Sequence, residues 1–278
     1  VLMLRYKQVT TVFSAALLML LMYSSKATSQ VLPFHTYTTK DGLVSNTITS
    51  LCQDSRGYIW IGTYDGISVY DGSTFRNYTT SDGLAHSVVW TIIESERSPG
   101  TMFIGTNGGG ISQFRDGKFT SRRLGPDLLS NQVPDLLEDS LGNLWCLTSS
   151  GLIIVAGDSL LTLHGGIDST ITSNLVQTKD GIIWFGSNRR LLGYNVQRQH
   201  ASTIVVPIGR NASVQALSVD DDGDLWAVSG DSVISHYRGR LLLGQRHLTI
   251  GAPGWVHVNR DGMVWIQLDH NGLARISK

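Results

Sequence analysis

Beyond the first thirty residues the apolar positions fall into short runs closed by Asp, Gly and Asn, and no helical period competes with them. Ile48-Thr49-Ser50-Leu51-Cys52-Gln53 reads as a strand, and Asp54-Ser55-Arg56-Gly57 as a tight turn in which Asp bonds its own backbone and Gly takes a positive φ. Tyr58-Ile59-Trp60-Ile61-Gly62-Thr63 is a second strand. After Tyr64-Asp65-Gly66, Ile67-Ser68-Val69-Tyr70 is a third, Asp71-Gly72 turns, and Thr74-Phe75-Arg76-Asn77-Tyr78 is a fourth. The unit predicted is four antiparallel strands joined by hairpins.

The unit repeats. Six glycines are followed three residues later by a large aromatic: Gly57/Trp60, Gly100/Phe103, Gly142/Trp145, Gly181/Trp184, Gly223/Trp226 and Gly262/Trp265. Successive aromatics are 43, 42, 39, 42 and 39 residues apart, the period of a four-stranded propeller blade. Six residues before each aromatic stand Asp54, Arg97, Asp139, Thr178, Asp220 and Asn259, and three after it Thr63, Thr106, Thr148, Ser187, Ser229 and Leu268. A sheet this small cannot bury both faces alone, so blades must pack on one another with the aromatics between them. The fold expected is an all-β propeller of six four-stranded blades.

Composition agrees. With 278 residues, 41% hydrophobic, 8% aromatic and 30 Gly, the chain suffices for one large all-β domain. Lys plus Arg equals Asp plus Glu at 22 each, so no broad field draws in nucleic acid or an anionic surface. The beginning differs in kind. Arg5 and Lys7 precede an apolar run, Val12 to Met22, followed by small and polar residues from Ser24 to Ser29, as in a secretory signal cleaved before Gln30. An uncleaved anchor is the alternative reading. The division expected is 1–29 signal peptide and 30–278 propeller, with the mature chain periplasmic or secreted. Cys52 and Cys146 fall two blades apart, too far for a disulfide, and are expected to be buried free thiols.

The run Gln53-Asp54-Ser55-Arg56-Gly57-Tyr58-Ile59-Trp60-Ile61-Gly62-Thr63-Tyr64-Asp65-Gly66-Ile67-Ser68-Val69-Tyr70 resembles the two-component regulator propeller repeat, and Leu136 to Trp145 resembles it more weakly. The resemblance covers residues 34 to 278. It implies the periplasmic sensor of a membrane-spanning hybrid histidine kinase, recognising an oligosaccharide, in a homodimeric, inner-membrane-anchored receptor. It implies no membrane contact of the propeller itself beyond absent parts or an uncleaved anchor.

Residues 33 to 43 match residues 74 to 84 at a constant offset of 41. The chain thus opens with a fourth strand that has no blade of its own, while Leu273 to Ser277 is a third strand. Pairing the two would complete blade six and remove exposed edges. The rival is an incomplete seven-bladed ring in a fragment of a longer sensor.

Loops between second and third strands share one end with the inter-blade connections, and loops carry function. There lie Tyr64, Asp65, His86, Asn107, Arg189, Arg190, Asp269, His270 and Asn271, the types a sugar site needs: an aromatic platform with planar hydrogen-bonding groups. The alternative for each is a solvated rim. Trp90 and Trp255, in first strands beside the central channel, are expected to pack in the core rather than line a funnel. Asp220-Asp221-Asp222-Gly223-Asp224 lacks the ligand spacing of a calcium loop and reads as a hairpin turn. Thr106 to Gly110 lacks the Lys of a phosphate loop. The eight His show no metal spacing and no nucleophile elbow is present, so neither cofactor, metal nor catalysis is expected. The competing reading is a free secreted propeller, either an interaction scaffold or a metal-dependent lyase using His86 and His270.

Overall fold

A computed structural model describes residues 35–163, 173–187, 190–195, 204–207, 213–248, 253–268 and 272–277. The expected signal segment, residues 1–29, lies outside them. Within residues 37–278 the strands form six antiparallel sheets in chain order, each a simple meander. Sheet 1 holds β1 (Ile48–Gln53), β2 (Ile59–Thr63), β3 (Ile67–Tyr70) and β4 (Phe75–Tyr78). Sheet 2 holds β5 (Val89–Glu94), β6 (Met102–Thr106), β7 (Ile111–Arg115) and β8 (Lys118–Arg122). Sheet 3 holds β9 (Asp135–Glu138), β10 (Leu144–Thr148), β11 (Gly151–Ala156) and β12 (Ser159–Thr162). Sheet 4 holds β13 (Val176–Gln177), β14 (Ile182–Ser187), β15 (Arg190–Asn195) and β16 (Ile204–Pro207). Sheet 5 holds β17 (Val214–Val219), β18 (Leu225–Ser229), β19 (Val233–Arg238) and β20 (Leu241–His247). Sheet 6 has β21 (Pro253–Val258), β22 (Met263–Leu268) and β23 (Gly272–Ser277).

The turn chemistry repeats as the sequence pattern requires. Asp54 Oδ1 accepts the amides of Arg56 at 3.0 Å and Tyr58 at 2.9 Å, and Gly57 closes the turn at φ +90°. Asp139 does the same for Leu141 and Asn143, and Asp220 for Asp222 and Asp224. The other carboxylate oxygen takes the indole N–H six residues on: Trp60 at 3.1 Å, Trp145 at 2.8 Å and Trp226 at 3.0 Å. In sheet 4 the Thr178 hydroxyl takes the Trp184 N–H at 3.1 Å. At the opposite end of the sheets, buried hydroxyls of Thr63, Thr106, Thr148 and Ser229 donate to carbonyls of Gly66, Gly110, Gly151 and Val233 across the loop between second and third strands.

Each indole then serves the seam to the next sheet. Trp60 and Tyr78 meet Ile92, Ile104 and Phe114 of sheet 2; Trp145 and Ile154 meet Ile183, Phe185 and Leu192 of sheet 4; Trp184 and Leu191 meet Leu217, Leu225 and Tyr237 of sheet 5. Trp60, Trp145, Trp184 and Trp226 are buried, as expected of core residues, whereas Phe103 and Trp265 are half-buried. Burying a large apolar side chain contributes roughly 1.5–3 kcal/mol, and a sheet of this size collects it only when a neighbour covers it.

In sheet 2, where Arg97 breaks the capping pattern, Ser95 caps the turn instead: Ser95 N donates to Thr101 O at 2.8 Å, and the hairpin is two residues longer than its siblings. Other expectations need correction. Among the described residues sheet 6 has three strands. The strand expected to complete it lies partly outside the described residues; its described part, residues 35–37, takes no strand position, and the Tyr37 ring packs tilted against Tyr70 and edge-on against Phe75 of sheet 1. Trp90 and Trp255 are not core residues but 44% and 47% exposed. Cys146 is buried and Cys52 half-buried, and both are free.

Candidate functional site

The meander puts the loops between second and third strands at one end of each sheet, together with the connections to the next sheet. At this end of sheets 2 and 3 a ladder of hydrogen bonds fixes the backbone. Asn107 N donates to Val88 O at 3.0 Å, Gln132 Nε2 to Asn107 Oδ1 at 2.9 Å, and Ser149 N to Gln132 O at 3.2 Å. Asn107 and Gln132 also form an isolated antiparallel bridge. Two residues from Val88 the first strand bulges: Val89 faces Thr106 and Thr91 faces Gly105, so Trp90 has no partner across the ladder. A bulge re-aims a side chain, and Trp90 stands exposed at the end of a rigid platform.

The sequence-derived residues divide. Tyr64 is 52% exposed and Asp65 is exposed, its amide held by the Thr63 hydroxyl. His86 is half-buried, and its Nδ1 accepts the Val88 amide at 3.0 Å. Asn107 spends its side-chain oxygen on Gln132. Arg190 is exposed at the start of β15. Among the described residues no hydrogen bond or ion pair joins any two of these five. Arg189, Asp269, His270 and Asn271 lie outside the described residues. Sequence reasoning passed over Gln132 and took Trp90 for core, because a bulge leaves no mark in a run such as Val88-Val89-Trp90-Thr91.

Two other arrangements could be mistaken for sites. A concavity of about 770 Å³ lies at the hairpin-turn end, lined by Glu94, Glu138, Gln177 and Lys179 among others. Its polar groups join sheets: Glu94 accepts from Ser55, Glu138 from Ser95 and Glu96, Gln177 from Ser140, and Lys179 donates to the Asp221 carbonyl. In sheet 5, His236 Nε2 lies 3.3 Å from Asp224 and 3.8 Å from Asp220, with its ring stacked on Trp226 at 4.0 Å. This donor set has the composition of a cation site. Yet Asp224 is already held by both arms of Arg238, at 2.8 and 2.7 Å, which depress its carboxyl below the ordinary range. Asp220 meanwhile caps the turn and the indole. The cluster is explained as turn structure.

Comparison with known proteins agrees with this architecture. Residues 42–65 and 165–189 match the two component regulator propeller family. A stretch of 65 residues, 23% of the chain, is 38% identical to Histidine kinase P4 of Formosa agariphila, and spans 5% of that protein. Among solved structures the fold is similar to virginiamycin B lyase from Staphylococcus aureus, with a TM-score of 0.69 at 14% identity over 83% of this chain and 80% of the lyase chain. It is also similar to the extracellular domain assigned to a hybrid two component system of B. thetaiotaomicron, with a TM-score of 0.55 at 16% identity over 87% of this chain and 41% of the other. At such identities the likeness concerns the fold. Among the described residues no helix is long and apolar enough to cross a membrane. The chain is an all-β propeller protein, two segments of which match the two component regulator propeller family.

Proposed function

We propose that this chain is the extracytoplasmic ligand-sensing propeller of a two-component receptor, and that its ligand is an oligosaccharide received where Tyr64, His86, Trp90 and Asn107 stand. The observation that carries the reading is Trp90, 44% exposed at a strand bulge beside a backbone ladder that keeps it in place. An exposed indole on a rigid support offers a flat apolar face to a sugar ring, while amide and imidazole groups nearby select its hydroxyls. Export by residues 1–29, dimerisation and a histidine kinase output belong to the same proposal: the kinase and the membrane anchor are parts of a longer receptor.

The test is a thermal-shift and calorimetric screen of the chain against plant and host oligosaccharides. A hit whose affinity falls at least about tenfold in Trp90→Ala, a loss of about 1.4 kcal/mol, supports the site. If no sugar raises the melting temperature while a protein partner does, the scaffold reading replaces it. Cleavage of the added ligand would instead favour the lyase reading.

A further inference from the structure

The seam between sheets 1 and 2 is tied at two depths. At the inner edge Glu94 takes the amide and hydroxyl of Ser55, and in the middle Trp60 and Tyr78 pack on Phe114 with ring centroids 5.1 and 5.2 Å apart. Toward the outer edge, at the hairpin-turn end, the seam opens into a cleft of about 360 Å³, at the small end of ligand pockets. The next seam has a concavity in the same place, but there Arg122 of β8 spends its guanidinium on the carbonyls of Gly157 and Asp158, in the outer turn of sheet 3. The matching turn of sheet 2 is Asp116-Gly117, and among the described residues no hydrogen bond reaches it from β4. The first cleft is left unbridged.

Strand register sets its walls. Cys52, Trp60, Val69 and Arg76 form one row across sheet 1, and alternation puts Tyr58 on the same face. Trp60, Tyr78 and Phe114 are buried and make an aromatic floor. Two guanidinium groups stand over aromatic rings at its edge, Arg56 at 5.2 Å from the Tyr58 centroid and Arg76 at 5.0 Å from that of Tyr78. Such a contact holds a guanidinium in place without spending its N–H donors on an oxygen.

The hydrogen-bonding inventory is one-sided. Asp71 at the rim is taken up by the amides and hydroxyls of Ser73 and Thr74. Asp54, behind Arg56, is taken up by the amides of Arg56 and Tyr58, the Trp60 indole and one arm of Arg56. Arg76, by contrast, makes no hydrogen bond or ion pair with another described residue. The cleft therefore presents charged donors beside a flat apolar floor, and both of its carboxylates are already engaged.

The geometry points to a ligand site in this cleft for a carboxylate borne on a single ring, a sugar acid or an aromatic acid, with Arg76 as the fork and the ring laid on the aromatic floor. Two N–H donors of one guanidinium match the two oxygens of a carboxylate. The cleft lies at the other end of the sheets from Trp90, and binding here does not require that site.

The probes are glucuronate and benzoate, each beside its neutral amide, titrated calorimetrically into the parent chain and into Arg76→Gln, Arg76→Lys and Arg123→Gln. Arg123 is an exposed cation at the loop end of sheet 2, so its loss reports the effect of net charge alone. At least one acid is expected to bind with a Kd below about 10 mM and its amide at least about tenfold more weakly. Arg76→Gln should weaken that acid by at least about tenfold at an unchanged melting temperature, and Arg76→Lys, which keeps the charge without the fork, should fall between. Tighter binding of glucuronate assigns the site to a sugar acid, and tighter binding of benzoate to an aromatic acid. The inference is overturned if neither acid binds at that level, if the amides bind as well as the acids, or if Arg76→Gln loses no more affinity than Arg123→Gln.

Discussion

The Trp145 indole donates from Nε1 to Asp139 Oδ2 at 2.8 Å, while Asp139 Oδ1 holds the amides of Leu141 and Asn143. One buried carboxylate thus fixes both a hairpin and the aromatic that fills the seam to the next sheet. A change at the turn is transmitted to the blade interface through this single side chain, and Asp54 and Asp220 repeat the arrangement.

Asp139→Ala should destabilise the protein by about 2–3 kcal/mol, since a buried N–H and two turn amides lose their acceptor. Urea unfolding measures it. With Trp145→Phe, a double-mutant cycle is expected to show a coupling of at least about 0.5 kcal/mol; strict additivity would mean that cap and indole act separately.

Burial raises the Asp135 carboxyl from 3.8 to about 6, although it accepts the Leu175 amide at 2.7 Å. A folded-state value above the unfolded one favours the protonated form, so its stabilisation is full below about pH 4 and is lost as pH rises through 6. Asp135→Asn keeps an acceptor for Leu175 without the charge. The variant should melt above the parent at pH 7.5, with the difference shrinking toward pH 5. A constant difference across that range would show that Asp135 titrates normally.

Gly110 sits at φ +80°, and a Cβ there would collide with the Arg122 carbonyl and crowd Asn131 Oδ1 at 3.1 Å. Gly117 has nearly the same φ, +79°, with nothing near its missing Cβ. Gly110→Ala is therefore expected to cost at least about 2 kcal/mol and Gly117→Ala about 1 kcal/mol. Thermal unfolding of the two variants separates the collision from the dihedral.

Burial pushes both thiols up, Cys146 further than Cys52. Since the thiolate is the reactive form, a disulfide reagent should modify Cys52 first, by at least about tenfold in rate, and Cys146 only on unfolding. Equal rates in the folded protein would contradict the burial of Cys146.

The glycine-to-aromatic spacing was enough to place five of the six hairpins, because Asp, Gly and Trp each perform a local task that a short segment completes by itself. In the sixth it left the cap unassigned: the extra residues after Ser95 shift the cap relative to Phe103, and only the pairing of Ser95 with Thr101 reveals it. The candidate site was legible in part. Tyr64, Asp65 and Arg190 stand exposed on the expected loops, but Asn107 is tied to Gln132, 25 residues away in sequence yet adjacent across a seam.

Alone, the sequence determined the repeat and the strand grammar, since hydrophobic period and turn chemistry act over a few residues. Tertiary structure decided which faces are covered. Leu51 and Ile92 occupy the same register in equivalent strands, yet one is exposed and the other buried, because burial depends on a neighbouring sheet rather than on the residue. It likewise decided Trp90, whose exposure comes from a mismatch between two strands that neither strand carries by itself.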